Sequence, residues 1–431
     1  MTRSLLLLFL ICCCRYADGQ APFVVKEGLP YTARNLPVTP LWFADSRLAF
    51  SFDGSGVGQL DYYSPIPNQN LATVFLRQLW DGFRYYLIKD GKRYKPEFSN
   101  TTTWPFGMES DWKMGSAIIR QKVLAVDECL AVQITTPADL PSGMLFSLEF
   151  YEAFGLSRGS DEDLRYTNGQ FTRKWSSWSF DSTSNTLTGG FTSLPGPSAQ
   201  KRGVAPFDTW CTWGATFPLR HVPRGINPKH ILLSPELSGG KTYTFVLSFS
   251  NGKEAAAERN RQLLANWDDR VARQFRRYRD VLARSPVLES PYPMLNDFIR
   301  MAPMYHESLK IVETPGAIRA KTTNYWIWAW DGMTCNDAAV YWGDTAHIRN
   351  MLSFYEKNAD SVKGIGHALE FDNSSSNPGP LPEQGMFITL LQLYYQHTGD
   401  AGTVKQRYGF ARKLFLRLMK DEVRNTGLCK G

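Results

Sequence analysis

The sequence has 431 residues, enough for two or three domains, and its hydrophobic fraction of 43% is ordinary for globular protein. Its net charge of +7 is scattered apart from one arginine-rich stretch, which leaves no electrostatic footprint for nucleic acid. The aromatic share of 13%, with 13 Trp, suits either carbohydrate contact or a large tryptophan-rich β core.

Residues 1–19 read as a signal peptide. Arg3 gives a positive start, Leu5 to Cys14 is apolar, and Ala17-Asp18-Gly19 puts small residues where cleavage would occur, so the mature chain is expected to start at Gln20. Cys12 to Cys14 raise a lipoprotein alternative, but no small residue precedes them. The apolar run is too short to span a bilayer, and no later segment is long and apolar enough to do so. The expected location is secreted or periplasmic.

Cys129, Cys211, Cys335 and Cys429 follow the leader, widely spaced, so neither a zinc ribbon nor a CxxC redox pair is available. Export permits one or two disulfides, with no pairing readable from the spacing. The 6 His stand apart without ligand spacing; no metal site is expected, and no cofactor is implied.

From Gln20 to Gly252 the chain reads as β. Arg47–Phe52, Phe83–Ile88, Ser116–Val126, Cys129–Thr135, Met144–Tyr151, Phe171–Phe180 and Thr242–Phe249 are rich in β-branched and aromatic residues. Turn signals divide them at Lys89-Asp90-Gly91-Lys92, Thr167-Asn168-Gly169, Ser238-Gly239-Gly240 and Asn251-Gly252. Many strands with no helical period between them predict a large antiparallel β-sandwich. Gly54 to Gly58 resembles a phosphate loop only superficially, because no βαβ unit or Lys-Ser/Thr follows; a hairpin turn is expected. The clusters Trp104-Pro105-Phe106 and Trp210-Cys211-Thr212-Trp213 are expected to pack rather than bind. Asn100 and Asn373 begin glycosylation acceptor patterns.

At Lys253 the period changes. Glu254 to Leu282 lacks Gly and Pro and carries Leu263, Leu264, Trp267, Val271, Phe275, Tyr278 and Leu282 at helical spacing, predicting one long amphipathic linker helix. Its face of Arg270, Arg273, Arg276, Arg277 and Arg279 is interleaved with acids and is expected to be solvated. The prolines from Pro286 to Pro293 end this segment, so residues 253–290 are taken as the linker and 291–431 as a helical domain. Helices are predicted over Met294–Ile311 (kinked at Pro303), Met333–Trp342, Thr345–Asn358 (capped by Asp344), Gln384–His397 and Gly402–Glu422. Short joins between them indicate antiparallel hairpins. The polar loop Leu369–Pro382 is long enough to suggest a functional role.

Asn324 to Asp344, NYWIWAWDGMTCNDAAVYWGD, stands out. Trp326, Trp328 and Trp330 alternate, which in an extended segment points three rings one way. Asp331 follows at an expected helix start. Flat rings cover the C–H faces of a sugar, and a carboxylate takes its hydroxyls. The plainer alternative makes Asp331 an N-cap and the Trp residues core.

This order, with Trp328-Ala329-Trp330-Asp331, Pro382-Glu383-Gln384 opening a helix, and the helix-ending Tyr395 to Asp400 (YQHTGD), resembles the six-hairpin glycosidases. These comprise glucoamylase-like, trehalase-like and glycogen-debranching-like enzymes with an N-terminal super-sandwich and an (α/α) toroid. The resemblance runs from Gln20 to the end and implies a carbohydrate substrate. It assigns Asp331 to substrate hydroxyls rather than to proton donation, with Trp328 and Trp330 as platform and Glu383 and Gln384 lining the same pocket. For Glu383, a helix-dipole role in a first turn competes equally.

Glycoside hydrolysis needs two carboxyl groups across the scissile bond. Twelve toroid helices need at least roughly 200 residues; the chain from Pro291 to Gly431 is shorter and carries five predicted helices. The expectation is a C-terminally truncated toroid, its catalytic carboxylates beyond Gly431 and unassigned here. Two alternatives remain: a non-catalytic glycan-binding protein, and a polysaccharide lyase or sugar epimerase using His306, Tyr305 or His367. Sugar, linkage, stereochemistry and oligomeric state are not legible in the sequence.

Overall fold

A computed structural model describes residues 24–26, 29–34, 41–53, 56–65, 75–95, 98–151, 171–197, 200, 205–224, 229–287, 289–312, 314–319, 327–369 and 381–420. Residues 1–19, Thr167-Asn168-Gly169, Trp326, Asn373, nearly all of the 369–382 loop and Cys429 lie outside the described residues.

Among the described residues up to Ser250, antiparallel strands form two large sheets, one of ten strands and one of eight. In the ten-stranded sheet, Cys129–Thr135, Thr242–Ser250 and Phe207–Ala215 are successive neighbours at the centre. The eight-stranded sheet is centred on Met144–Tyr151, Phe75–Lys89 and Gly56–Pro65. The expected Phe83–Ile88 is thus the second half of a longer strand. Lys89 and Lys92 pair across a two-residue turn in which Asp90 (φ 50°) and Gly91 (φ 72°) are both left-handed. A tight hairpin demands that geometry, and Asp-Gly supplies it cheaply. Leu48–Phe52 and Gly56–Pro65 pair antiparallel, and the Asp53 amide donates to the Gly56 carbonyl at 3.2 Å, as in a hairpin rather than a phosphate loop.

The aromatic excess goes largely into the core. Phe83 meets Trp213 edge-on at 5.0 Å, and Tyr85, Trp112, Phe146 and Phe245 continue the layer between the sheets. Trp104 and Phe106 leave this layer to pack against Phe275 and Tyr278 of the following helices.

The predicted single linker helix is two: α1 (Lys253–Ala265) and α2 (Trp267–Arg284). Asn266 breaks the run with φ −125°, and its side-chain amide donates to the Gln262 carbonyl at 3.0 Å. Asparagine competes for backbone partners in this way, and no Gly or Pro is needed to interrupt a helix. α1 lies on the ten-stranded sheet, where buried Asn260 donates to the carbonyls of Thr212 and Val246, both at 2.8 Å. The arginine face is only partly solvated, contrary to expectation. Arg273, Arg276 and Arg279 are exposed, but Arg270 pairs with Asp127 at 2.5 Å and Arg277 with Asp45 at 2.9 Å and Glu307 at 2.8 Å. Partners on other elements, invisible to helical periodicity, draw these two down.

Five helices follow: α3 (Pro293–Leu309, running through Pro303), α4 (Ala329–Tyr341), α5 (Thr345–Asn358), α6 (Leu381–Thr398) and α7 (Ala401–Lys420). They pack around Met333, Met351, Leu352, Tyr355, Phe387 and Leu390. The architecture is a β-sandwich followed by part of a helical toroid. The Thr-Gly-Asp join works through its residues: Gly399 takes φ 66°, and Asp400 caps α7 by accepting the Thr403 amide at 3.0 Å and hydroxyl at 2.6 Å. These bonds hold the Asp400 carboxyl down, at about 2. Asp344 occupies the cap position of α5, but its carboxylate goes to Lys310 instead.

The sandwich and the helical unit meet at the hairpin Asp45-Ser46-Arg47. Ser46 Oγ accepts the Val312 amide at 3.0 Å, and fully buried Arg319 donates to the carbonyls of Ser46 (3.1 Å) and Arg47. Beside it, Asp45 joins the Arg277 pair described above, and Arg47 pairs with buried Glu128. Cys129, Cys211 and Cys335 are free thiols, so no disulfide joins the described residues.

Candidate functional site

The site is built where the chain enters α4. Ile327–Trp328 pairs antiparallel with Ala368–Leu369, and the Ala329 amide donates to the His367 carbonyl at 2.9 Å. That bond satisfies one of the amides that open a helix. The helix therefore begins at Ala329, four residues before the predicted start, with Trp328 in the cap position.

This early start corrects two expectations. Asp331 is not the N-cap; it is the third helical residue, and among the described residues its carboxylate accepts no hydrogen bond. Nor do the indoles form one row. The two-residue alternation ends at Trp328, and Trp330 turns with the helix, about 100° per residue. Trp328 is half-buried, whereas Trp330 is 44% exposed. Trp326 lies outside the described residues.

Tyr355 of α5 anchors the cluster from below. It is buried, and its hydroxyl donates to the Trp328 carbonyl at 3.3 Å. A Cβ on Gly332 would stand 2.6 Å from that hydroxyl, so the glycine after Asp331 is what admits the phenol. Burial drives the Tyr355 phenol well above its ordinary value, and the nearby charges of Cys335, Asp331 and Glu383 add to the effect. The phenol stays neutral and acts as a donor.

Glu383, in the first turn of α6, is only 1% exposed. His367 Nδ1 lies 2.5 Å from its Oε1, and its Oε2 is buried without a partner among the described residues. The His367 side chain is 39% exposed, and its ring meets Trp328 edge-on at 4.6 Å and 89°. Glu383 thus reaches the surface through His367. Gln384 faces another way: it accepts the Ile365 amide at 2.9 Å and donates to the Ile365 carbonyl at 2.6 Å. Fully buried, it braces the turn at Gly364, where φ is 85° and a Cβ would collide with its Oε1.

The structure therefore brings together Trp328, Trp330, Asp331 and, through His367, Glu383, while Gln384 supports the floor behind them. Sequence reasoning missed Tyr355 and the pairing of His367 with Glu383; Gly332 inside a helical pattern was the available signal for the first. His306 is elsewhere, buried between His347 and Trp342, so it does not join His367 in one base cluster. The described residues hold no group of three or more His, Cys, Asp or Glu arranged to bind a metal ion, and no helix among them is long and apolar enough to cross a membrane.

No protein-family model matches this sequence, and no curated protein matches it. Solved structures do. A bacterial glucoamylase complexed with acarbose superimposes with a TM-score of 0.56 at 12% identity, over 94% of this chain and 62% of its own. A putative kojibiose phosphorylase from human microbiome gives 0.55 at 11% identity, over 89% of this chain and 58% of its own. What the chain shares with these structures is the fold, a β-sandwich followed by part of a helical toroid. The chain spans about three fifths of the length of these two similar structures.

Proposed function

We propose that this chain is an exported carbohydrate-active protein of the glycoside hydrolase type, and that its described part grips a sugar at the start of α4. One observation carries the reading: Asp331, in the first turn of α4, presents a carboxylate with no hydrogen-bond partner among the described residues, beside half-buried Trp328 and exposed Trp330. The carboxylate accepts sugar hydroxyls and the indoles cover the C–H faces of the ring. Two similar structures named for glucoamylase and kojibiose phosphorylase support carbohydrate as the substrate class.

Hydrolysis requires a second reachable carboxyl group. Glu383 is sealed behind His367, so the role proposed for this region is substrate gripping, and no residue is assigned as acid or base. Glycan binding without catalysis rests on the same observation. The leader at residues 1–19 supports export, which N-terminal sequencing of the secreted product would test.

The test of binding is calorimetric titration of the full chain with acarbose and with kojibiose. Binding of at least one is expected, weakened about tenfold or more by Asp331→Asn, the worth of a hydrogen bond to a charged group. Trp330→Ala should weaken it as well. Failure of both sugars to bind at millimolar concentration, or binding that ignores both substitutions, overturns the reading.

A further inference from the structure

Glu383 presents a physical problem. A carboxylate oxygen buried without a partner is costly, and burial of the whole side chain keeps ligands from touching it. Its outlet is His367, whose Nδ1 lies at its Oε1 and whose ring edge rests against Trp328. The backbone fixes the ring from the other side. The His367 carbonyl holds the first amide of α4, and the strand pair Trp328 with Ala368 locks the two segments together.

When one ring nitrogen of a histidine is committed to a carboxylate, the proton sits on that nitrogen and the other is left as an acceptor. Here the committed nitrogen is Nδ1. Nε2 has no partner among the described residues, on a side chain 39% exposed beside Trp328. Glu383 on α6 meets the ring itself, and Glu383 together with Asp331 and Cys335 on α4 surrounds Tyr355 of α5, whose hydroxyl holds the Trp328 carbonyl. None of these is a cation.

We propose that His367, held by Glu383, is a ligand-facing group of this site, accepting a hydroxyl hydrogen of a neutral saccharide at Nε2, while Glu383 is a positioning residue acting through it. The Glu383 carboxylate at the ring, with the Asp331 carboxylate near Tyr355 on the same cluster, disfavours an anionic sugar such as a uronate. The inference rests on the sugar-gripping reading above and adds to it the second polar contact and the charge class of the ligand. No bond is made or broken in this step; a hydroxyl donates and Nε2 accepts.

The experiment combines two readouts on the full chain. Imidazole 15N spectra of histidine-labelled protein, assigned with His367→Gln, report which ring nitrogen carries the proton. The Nδ1–H tautomer is expected for His367; the Nε2–H tautomer overturns the proposal. Affinity for kojibiose and acarbose should fall about three- to tenfold in His367→Gln, the worth of one hydrogen bond. Glu383→Gln should lower the population of the Nδ1–H tautomer and weaken sugar binding together, which a merely structural role for Glu383 would not do. Galacturonic acid oligomers should bind more weakly than either neutral or amino-bearing sugar. Sugar binding that is lost in Asp331→Asn but unchanged in His367→Gln and Glu383→Gln sinks the dyad and leaves the site standing. Failure of the sugars to bind, with the Nδ1–H tautomer present, overturns the sugar-gripping reading and the ligand role of His367 with it.

Discussion

His306 makes the helical unit acid-sensitive in a way that can be isolated. The ring is buried in α3, with Nε2 at 3.3 Å from Asn336 Oδ1 and Nδ1 buried without a partner among the described residues. His347 lies edge-on at 5.3 Å. Burial above all, with Lys310 beside it, holds His306 down to about 4, against smaller opposing effects from Asp344, Glu307 and the Asn336 hydrogen bond. Burial lowers His347 in the same direction. An unfolded histidine titrates near 6.5, so between that pH and 4 the unfolded chain binds a proton the folded one refuses. Stability therefore falls as pH drops through this window and is unaffected by this group above it. For His306 alone the loss is about 3 kcal/mol by pH 4. The measurement is native-state hydrogen exchange of α3 and α5 peptides from pH 7.5 to 4, corrected for intrinsic exchange rates, in wild type and His306→Gln. The opening free energy of wild type should fall by about 3 kcal/mol more than that of the variant. Parallel pH profiles would refute the argument, because they would mean the ring is protonated in place or hydrated.

Asp331→Asn should leave thermal stability within about 0.5 kcal/mol, since the carboxylate holds no hydrogen bond among the described residues; a larger loss in a denaturation curve would return it to a structural role. Gly332→Ala should cost about 1–3 kcal/mol despite the helix preference of alanine, because the new methyl meets the Tyr355 hydroxyl. Adding Tyr355→Phe should recover part of that loss, which a double-mutant cycle reads directly. Arg319→Met should cost about 3–5 kcal/mol by stranding the carbonyls of Ser46 and Arg47 at the seam between sandwich and helices, measurable by urea denaturation.

Much of the fold is legible locally. Strand alternation located Cys129–Thr135 and Met144–Tyr151 to the residue, and Asp90-Gly91 marked its hairpin, because side-chain period and left-handed φ are properties of a few consecutive residues. Thr398-Gly399-Asp400 was legible for the same reason. Asn266 was not: it is an ordinary helix residue by pattern, and its break separates α1, seated on the ten-stranded sheet, from α2, packed against α3. Arg277 likewise counted as solvated until Asp45, more than two hundred positions earlier, came to meet it.

The candidate site divides along the same line. The sequence by itself determined which groups are present near one another in the chain: two indoles, a carboxylate and the glycine that follows it. Only the tertiary structure decided that α4 starts at Ala329, because the amide that opens it is satisfied by His367 from a distant segment. That shift of start moves Asp331 off the cap, turns Trp330 outward and separates it from Trp328. The tertiary structure also decided that Glu383 hides behind His367 while Gln384 braces a turn, although the two are adjacent in the chain. Helical periodicity sends neighbours to different faces, but what waits at each face is set by packing between elements that no local pattern encodes.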